Sequence, residues 1–238
     1  MSRPRLRRVL RGALAALVPV ALLGGLGGSA QAAPLAAWPE PVPVVSHVET
    51  GDPVVFITID DGWYHDPAAA KLLLDRRVPA SLFLLPGAYS YDSGYFHTLL
   101  DQGRSRVENH TVNHPDLTTL DAAGQKAEVC GARDQHLAQF GDGPRLLRPP
   151  YGVYDATTRT TARACGAKAV VTWTYDLTTW GQWTPPTPRL KAGDIILLHF
   201  NETLEQDLRR ALDLADAAGL EPAPLREYVG EWGPPGEP

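Results

Sequence analysis

Cysteine is scarce in this chain, with two residues, Cys130 and Cys165, among 238. Two thiols are too few for a metal site built on thiolates. Long hydrophobic runs are missing as well. The most apolar stretch, residues 13–26, is interrupted by Pro19 and several glycines, and it falls short of the ~20 residues that cross a bilayer. Excess basic charge is absent: the formal net charge is −5. The chain therefore has no general electrostatic attraction for nucleic acid or an anionic membrane. No internal repeat and no heptad pattern runs through it, which excludes solenoids and coiled coils.

The N-terminus carries a pattern of its own. Arg3, Arg5, Arg7, Arg8 and Arg11 precede the apolar stretch, and Ala30-Gln31-Ala32 follows it. A basic start, a short apolar middle and an A-x-A site read as a secretory signal peptide over residues 1–32, with cleavage favoured over an uncleaved anchor. Arg7-Arg8 leaves both the general and the twin-arginine export routes open. No cysteine near the junction offers a point for lipid attachment. Cleavage after Ala32 would leave 206 residues, and would take the formal charge to −10 because the leader holds five arginines and no acid. That length suffices for one domain with a full core. In an exported chain an even pair of cysteines suggests a disulfide; two buried thiols are the alternative.

Residues 33–52 are rich in Pro and Ala at their start, lack a period, and read as a linker or extended arm. The run Val54-Val55-Phe56-Ile57-Thr58-Ile59 predicts a strand buried on both faces, ended by Asp60-Asp61-Gly62. Further strands are expected over residues 80–85, 167–173 and 194–200. Helices are expected over 67–77, 95–103, 120–140 (broken around Gly131) and 157–164. Leu204, Leu208, Ala211, Leu212 and Ala215 share the face of another helix, which Gly219 caps. Buried-type strands alternating with helices predict an α/β domain with a mainly parallel sheet. Catalytic groups in such folds sit at the carboxyl ends of strands, where Asp60, Asp61 and His199 fall.

Several positions could carry chemistry. Asp60 and Asp61 stand at a strand end that Gly62 lets turn, so the two carboxylates can take different tasks; an Asp-Gly turn is the plainer reading. His110 and His114 are spaced i, i+4, which on a helix or tight loop puts both imidazoles within reach of one ion. With Asp61 they would make a His₂-carboxylate set; unrelated surface histidines are the alternative. Arg148-Pro149-Pro150-Tyr151-Gly152 is stiff, and a fixed guanidinium can hold a carboxylate. His199 ends an apolar strand and is either a satisfied structural histidine or a general acid. Trp173, Trp180 and Trp183 flank Asp176 in sequence and serve either the core or a sugar face.

Taken in order, Thr58-Ile59-Asp60-Asp61-Gly62, His110 to Pro115, Arg148 to Gly152, Trp173 to Trp180 and Leu197-Leu198-His199 resemble the five motifs of the polysaccharide deacetylases. This is the NodB-homology family, carbohydrate esterase family 4, and the likeness runs from about residue 53 to 228. The resemblance implies an α/β fold of a distorted (β/α) barrel in a single domain, here over 53–230 with a tail at 231–238. It implies Asp60 as catalytic base, oriented by Arg148, and Asp61, His110 and His114 as ligands of a divalent metal, zinc first, with cobalt or manganese as substitutes. The Tyr151 N–H would help hold the oxyanion. Asp176 would pair with His199, the general acid. Leu197 and Trp180 would line the acetyl pocket, and Trp63 a sugar subsite.

The implied partner is an acetylated polysaccharide or oligosaccharide, with no nucleic acid, no membrane anchor after leader removal, and a monomeric chain. The implied reaction removes N-acetyl groups from N-acetylglucosamine-containing glycans such as peptidoglycan or chitin-like polymers. An O-acetyl xylan esterase on the same site and a non-catalytic glycan-binding protein are the alternatives. Two departures stand out. Thr179 occupies the place of a second Asp usual before Trp180, and Ile59 and Trp63 replace the more usual Phe and Pro.

Overall fold

The apolar runs become the centre of a parallel sheet. A computed structural model describes residues 40–180 and 184–229. The expected leader, residues 33–39 of the arm, Trp183 and the tail at 231–238 lie outside the described residues. The strands are β1 (Val44–Val45), β2 (Val54–Asp61), β3 (Ser81–Leu84), β4 (Arg106–Asn109), β5 (Leu146–Leu147), β6 (Ala169–Val171), β7 (Tyr175–Asp176), β8 (Ile195–His199) and β9 (Glu221–Pro222). Their order is β1-β6-β5-β4-β3-β2-β8-β7, with β9 beside β2. Every one of these pairings is parallel. The helices are α1 (Pro67–Asp75), α2 (Pro86–Tyr89), α3 (Gly94–Asp101), α4 (Ala122–Phe140), α5 (Ala156–Ala164), α6 (Leu204–Ala218) and α7 (Leu225–Val229). Strands and helices form a half-barrel of the (β/α) type, in agreement with the expected fold. No helix of the described residues is long and apolar enough to cross a membrane.

Strand β2 shows why its sequence is apolar throughout. Val55, Ile57 and Ile59 pack outward against Leu73 of α1 and Leu204, Leu208 and Leu212 of α6. Phe56 points the other way, into a cluster with Phe83, Leu146, Val171 and Ile195 inside the curve of the sheet. Side chains alternate along a strand, so Thr58 and Asp60 continue the inward face. In the pairing of β2 with β8, Thr58 lies opposite Leu197 and Asp60 opposite His199. The inner face thus rises from hydrocarbon to catalytic-type polar groups within six residues of one strand.

Two expectations change. Helix α4 runs unbroken through Gly131. That glycine serves close packing instead, since a Cβ there would lie 3.2 Å from Val112 Cγ2 in the loop after β4. Val44–Val45, within the stretch expected as a linker or extended arm, form β1, paired with β6 at the sheet edge. Strand β4 went unseen because its sequence, Arg-Val-Glu-Asn, has one apolar residue. Its Glu108 is fully buried. It accepts from the backbone N–H groups of Arg145 and Leu146 at 2.8 Å each and pairs with the Arg226 guanidinium. A buried carboxylate is tolerated when it is so fully partnered.

Cys130 of α4 and Cys165, which caps α5, form a disulfide with Cα atoms 4.9 Å apart. It closes a loop of 35 residues, for which chain entropy gives about 3–4 kcal/mol of stabilisation. Denaturant titration of the Cys130→Ser/Cys165→Ser double variant should show a loss of that order; a loss under about 1 kcal/mol would count against the bond as a staple.

His136 of α4 is completely buried, with Tyr89 Oη 3.0 Å from its Nδ1. Burial pushes its pKa down to about 4. Between about pH 6.5 and that value the unfolded chain takes up a proton that the folded one refuses. This contribution to stability is therefore full above pH 6.5 and is lost as pH falls, by up to roughly 1.4 kcal/mol per pH unit. His136→Gln should flatten the decline of the urea midpoint between pH 7 and 4.5; parallel declines in both proteins would exclude His136 as its source.

Candidate active site

Asp61 ends β2 in a left-handed conformation, φ 74°, and Gly62 follows with φ 101°. A Cβ at Gly62 would lie 3.0 Å from Ala88 Cβ and 3.1 Å from Leu84 Cδ2, so only glycine fits this turn. The twist separates the two carboxylates. Asp60 stays on the inward face, 2 % exposed, while Asp61 swings toward the loop after β4.

That loop carries His110 and His114 and is not helical. Side chains build it. Asn109 accepts from Thr111 N at 2.9 Å and donates to Val129 O at 2.8 Å. Glu128 of α4 accepts from the N–H groups of Val112 and Asn113 at 2.9 Å each and from Asn113 Nδ2 at 2.7 Å. Thr111 and His114 both take positive φ, 71° and 59°. Five non-glycine residues have positive φ in the described structure, and four of them, Asp61, Thr111, His114 and Tyr151, surround this site. Each such position costs on the order of 1 kcal/mol and persists only where its surroundings fix it.

One oxygen lies at the centre. Asp61 Oδ1 is 3.5 Å from His110 Nε2 and 3.6 Å from His114 Nε2. The three potential ligand atoms lie within 4.8 Å of one another. Asp61 Oδ1 is buried without a hydrogen-bond partner, which is costly unless a cation completes it. The Nδ1–H of His110 donates to Arg148 O at 2.8 Å. That bond leaves Nε2 as the lone-pair nitrogen turned to Asp61, the arrangement that orients metal-bound histidines. Burial and the neighbouring His110 hold His114 below its ordinary pKa, hence neutral. Burial works against the Asp61 anion, but the imidazoles around it outweigh that and bring its pKa below the usual range. Two imidazoles and one carboxylate, all facing one point, fit a divalent cation.

Asp60 has a different partner. Arg148, 0 % exposed, donates from one terminal nitrogen to Asp60 Oδ1 at 2.7 Å and to Thr58 Oγ1 at 2.8 Å, and from the other to Thr172 O at 2.9 Å. Its guanidinium lies 4.3 Å from the Phe83 ring centre. Burial acts against this cation, opposed by Asp60 and then by Asp176. Beyond Arg148 the chain turns sharply, with Tyr151 at φ 59° and Gly152 at φ 70°. A Cβ on Gly152 would lie 2.8 Å from Trp173 Cη2, so the turn rests on that indole. Tyr151 is 66 % exposed, with its ring edge-on to His114.

His199 closes the other side. Its expected pairing with Asp176 is absent among the described hydrogen bonds and ion pairs. Thr178 Oγ1 lies 2.9 Å from His199 Nδ1 instead. Asp176 turns its carboxylate to the backbone, accepting from Thr178 N at 2.9 Å. The reason is local: β7 ends at Asp176, and an Asx turn there lifts Thr178 to the level of the imidazole. Trp180 sits edge-on to His199 at 4.7 Å, and Leu197 is buried two residues below it on the same face of β8. Trp63 covers Gly87 and borders a cleft of about 570 Å³ with Asp61, Pro86, Asn113, His114 and Gln135. A cleft of about 650 Å³ among Arg104, Arg106, Arg145 and Arg226 opens at the opposite strand ends and holds none of these groups. Glu128 and Thr178 are the residues that sequence reasoning missed.

Comparisons with known proteins agree with this geometry. Residues 47–170 match the profile of a family described as polysaccharide deacetylase. The chain is 38 % identical over 193 residues to an uncharacterized protein of Streptomyces coelicolor, covering 79 % of this chain and 77 % of that one. It is 32 % identical over 160 residues to a chitooligosaccharide deacetylase of Sinorhizobium fredii, covering 63 % of this chain and 73 % of that one. Among solved structures it is similar to a carbohydrate esterase family 4 pseudoenzyme from Bacillus anthracis, in a mutant with restored enzymatic activity. That match has a TM-score of 0.69 at 20 % identity and covers 78 % of this chain and 71 % of that one.

Proposed function

Because this chain belongs to the polysaccharide deacetylase family, we propose that it is an exported, metal-dependent hydrolase that removes N-acetyl groups from N-acetylglucosamine-containing glycans. The observation that carries the proposal is the division between two neighbouring carboxylates. Asp61 faces His110 and His114 with an unpartnered oxygen, and Asp60 is held by Arg148 beside them. A non-catalytic glycan binder would have no use for the second arrangement. The basic, then apolar, then A-x-A leader supports export.

Asp61, His110 and His114 would hold the metal, and zinc suits their donor set best, with cobalt or manganese able to replace it. When bound, a divalent cation supplies Lewis acidity toward water and the acetyl carbonyl. Asp60, fixed by Arg148, receives the proton of the attacking water. The Tyr151 N–H, presented by the left-handed turn, faces the developing oxyanion. His199 delivers a proton to the leaving nitrogen, without which an amide anion would have to depart. Thr178 fixes the ring that does so. Leu197 and Trp180 bound the acetyl methyl group, and Trp63 offers a flat face to a neighbouring sugar.

The test is acetate release by the leaderless chain from N-acetylglucosamine oligomers, peptidoglycan and acetylated xylan, with and without a chelator. Chelator-sensitive release from the N-acetylated substrates is expected. Preference for xylan would make the chain an O-acetyl esterase, and no release with zinc restored would overturn the enzymatic reading.

A further inference from the structure

Helix α6 places an acid where its apolar stripe runs. Asp207 falls between Leu204 and Leu208 and is 2 % exposed. An acid in the first turn of a helix ordinarily serves that helix, and here one bond does: Thr203 Oγ1 donates to Asp207 Oδ2 at 2.8 Å. The other partners come from a different part of the chain. Thr179 N donates to Oδ2 at 2.8 Å and Thr179 Oγ1 to Oδ1 at 2.6 Å. The far side of the same residue is held too, since Thr179 O accepts from Asn201 Nδ2 at 3.2 Å. Thr179 is thus gripped at its N–H, its hydroxyl and its carbonyl by residues 201–207. Its two neighbours are the groups that touch His199: Thr178 through the hydroxyl and Trp180 through the indole.

We propose that Asp207 is a positioning residue for the reaction, holding the Thr178–Trp180 segment so that the Thr178 hydroxyl sets the His199 ring. The catalytic consequence rests on the deacetylase reading; the clamp itself does not. The departure at Thr179 gains a physical account. The hydroxyl there is a donor, so it can take part in the grip of the Asp207 carboxylate, whereas a second aspartate would face it with like charge.

Three variants and three readouts test this. In Asp207→Ala, kcat on an N-acetylated oligomer should fall about 30-fold, the scale of a small misplacement of a reacting group. Zinc content should stay unchanged, because Asp207 does not contact Asp61, His110 or His114. Amide exchange across residues 178–180 should accelerate by about tenfold or more as the clamp opens. Asp207→Asn should retain kcat within about threefold, because its amide oxygen can accept from Thr179 N and the Thr179 hydroxyl can rotate to accept from its NH₂. Thr179→Val removes one of the bonds, keeps the backbone ones, and should fall between. Wild-type kcat in Asp207→Ala, or unchanged exchange there, would overturn the proposal. An Asn variant as impaired as the Ala one would overturn it in favour of a role for the charge itself. If Asp207→Ala does not fold, Thr179→Val decides: faster exchange at 178–180 with reduced kcat supports the clamp, and wild-type values in both overturn it. A wild-type protein inactive on every glycan would sink the deacetylase reading alone, while the exchange data would still decide the clamp.

Discussion

Asp60→Asn is expected to lower deacetylation by about 10³-fold, within the range for removal of a general base, while the protein still binds one equivalent of zinc. The substitution keeps shape and changes basicity. The Asn oxygen can accept the bond that Arg148 now gives to Asp60 Oδ1 at 2.7 Å, so the buried guanidinium keeps a hydrogen-bond partner while losing its counter-charge, which should cost some stability. An amide cannot take the water proton at neutral pH. Metal should stay because the ligand atoms come from Asp61, His110 and His114. Asp60 Oδ2 lies 3.7 Å from His110 Nε2, close enough for its charge to raise metal affinity somewhat but not to place it in the ligand set. Turnover and metal content measured on one preparation separate the outcomes. Wild-type turnover would remove Asp60 from the base role, and loss of zinc together with turnover would make it a ligand.

The parts of this site that were legible in the sequence are those at the ends of long apolar strands. β2 and β8 are buried on both faces, so their sequences are nearly continuous hydrocarbon, and the polar residues that end them stand out. The i, i+4 histidines and the stiff Arg-Pro-Pro-Tyr-Gly segment were legible for the same reason: each is unusual locally. The rest depends on contacts far apart in the chain. β4 and β5 are short and carry Glu108 or only two leucines, so no period betrays them. The loop that bends His110 toward His114 is set by Glu128, an acid on a helix that resembles any solvated charge. The neighbour of His199 could not be read because Asp176 is the more conspicuous candidate, and a turn of two residues decides for Thr178. Asp207 did leave a trace, as a charge at stripe spacing between Leu204 and Leu208, where an apolar residue belongs.

His114→Gly should abolish stoichiometric zinc binding without harming the fold, an effect larger than the roughly 10–100-fold losses that outer-shell changes cause. His114 is the ligand best suited to this test. His110 is buried and tied to Arg148 O, so its removal would also empty part of the interior. His114 is partly exposed, and its own backbone sits at φ 59°. Glycine adopts that conformation without the steric cost an L side chain meets. The metal-free variant should therefore be as stable as the metal-free wild type or more stable, by up to about 1 kcal/mol. Elemental analysis gives zinc content, and urea titration in chelator gives the stability difference. Unchanged zinc content would dismantle the proposed triad. Lost zinc with a clearly destabilised apo-protein would mean that His114 packs the loop as well as binding metal, and that the strain is repaid by packing in the absence of the ion. Lost zinc with a more stable apo-protein would show a backbone held against its own preference so that two imidazoles and Asp61 face one point, which is what a site selected for a metal rather than for stability requires.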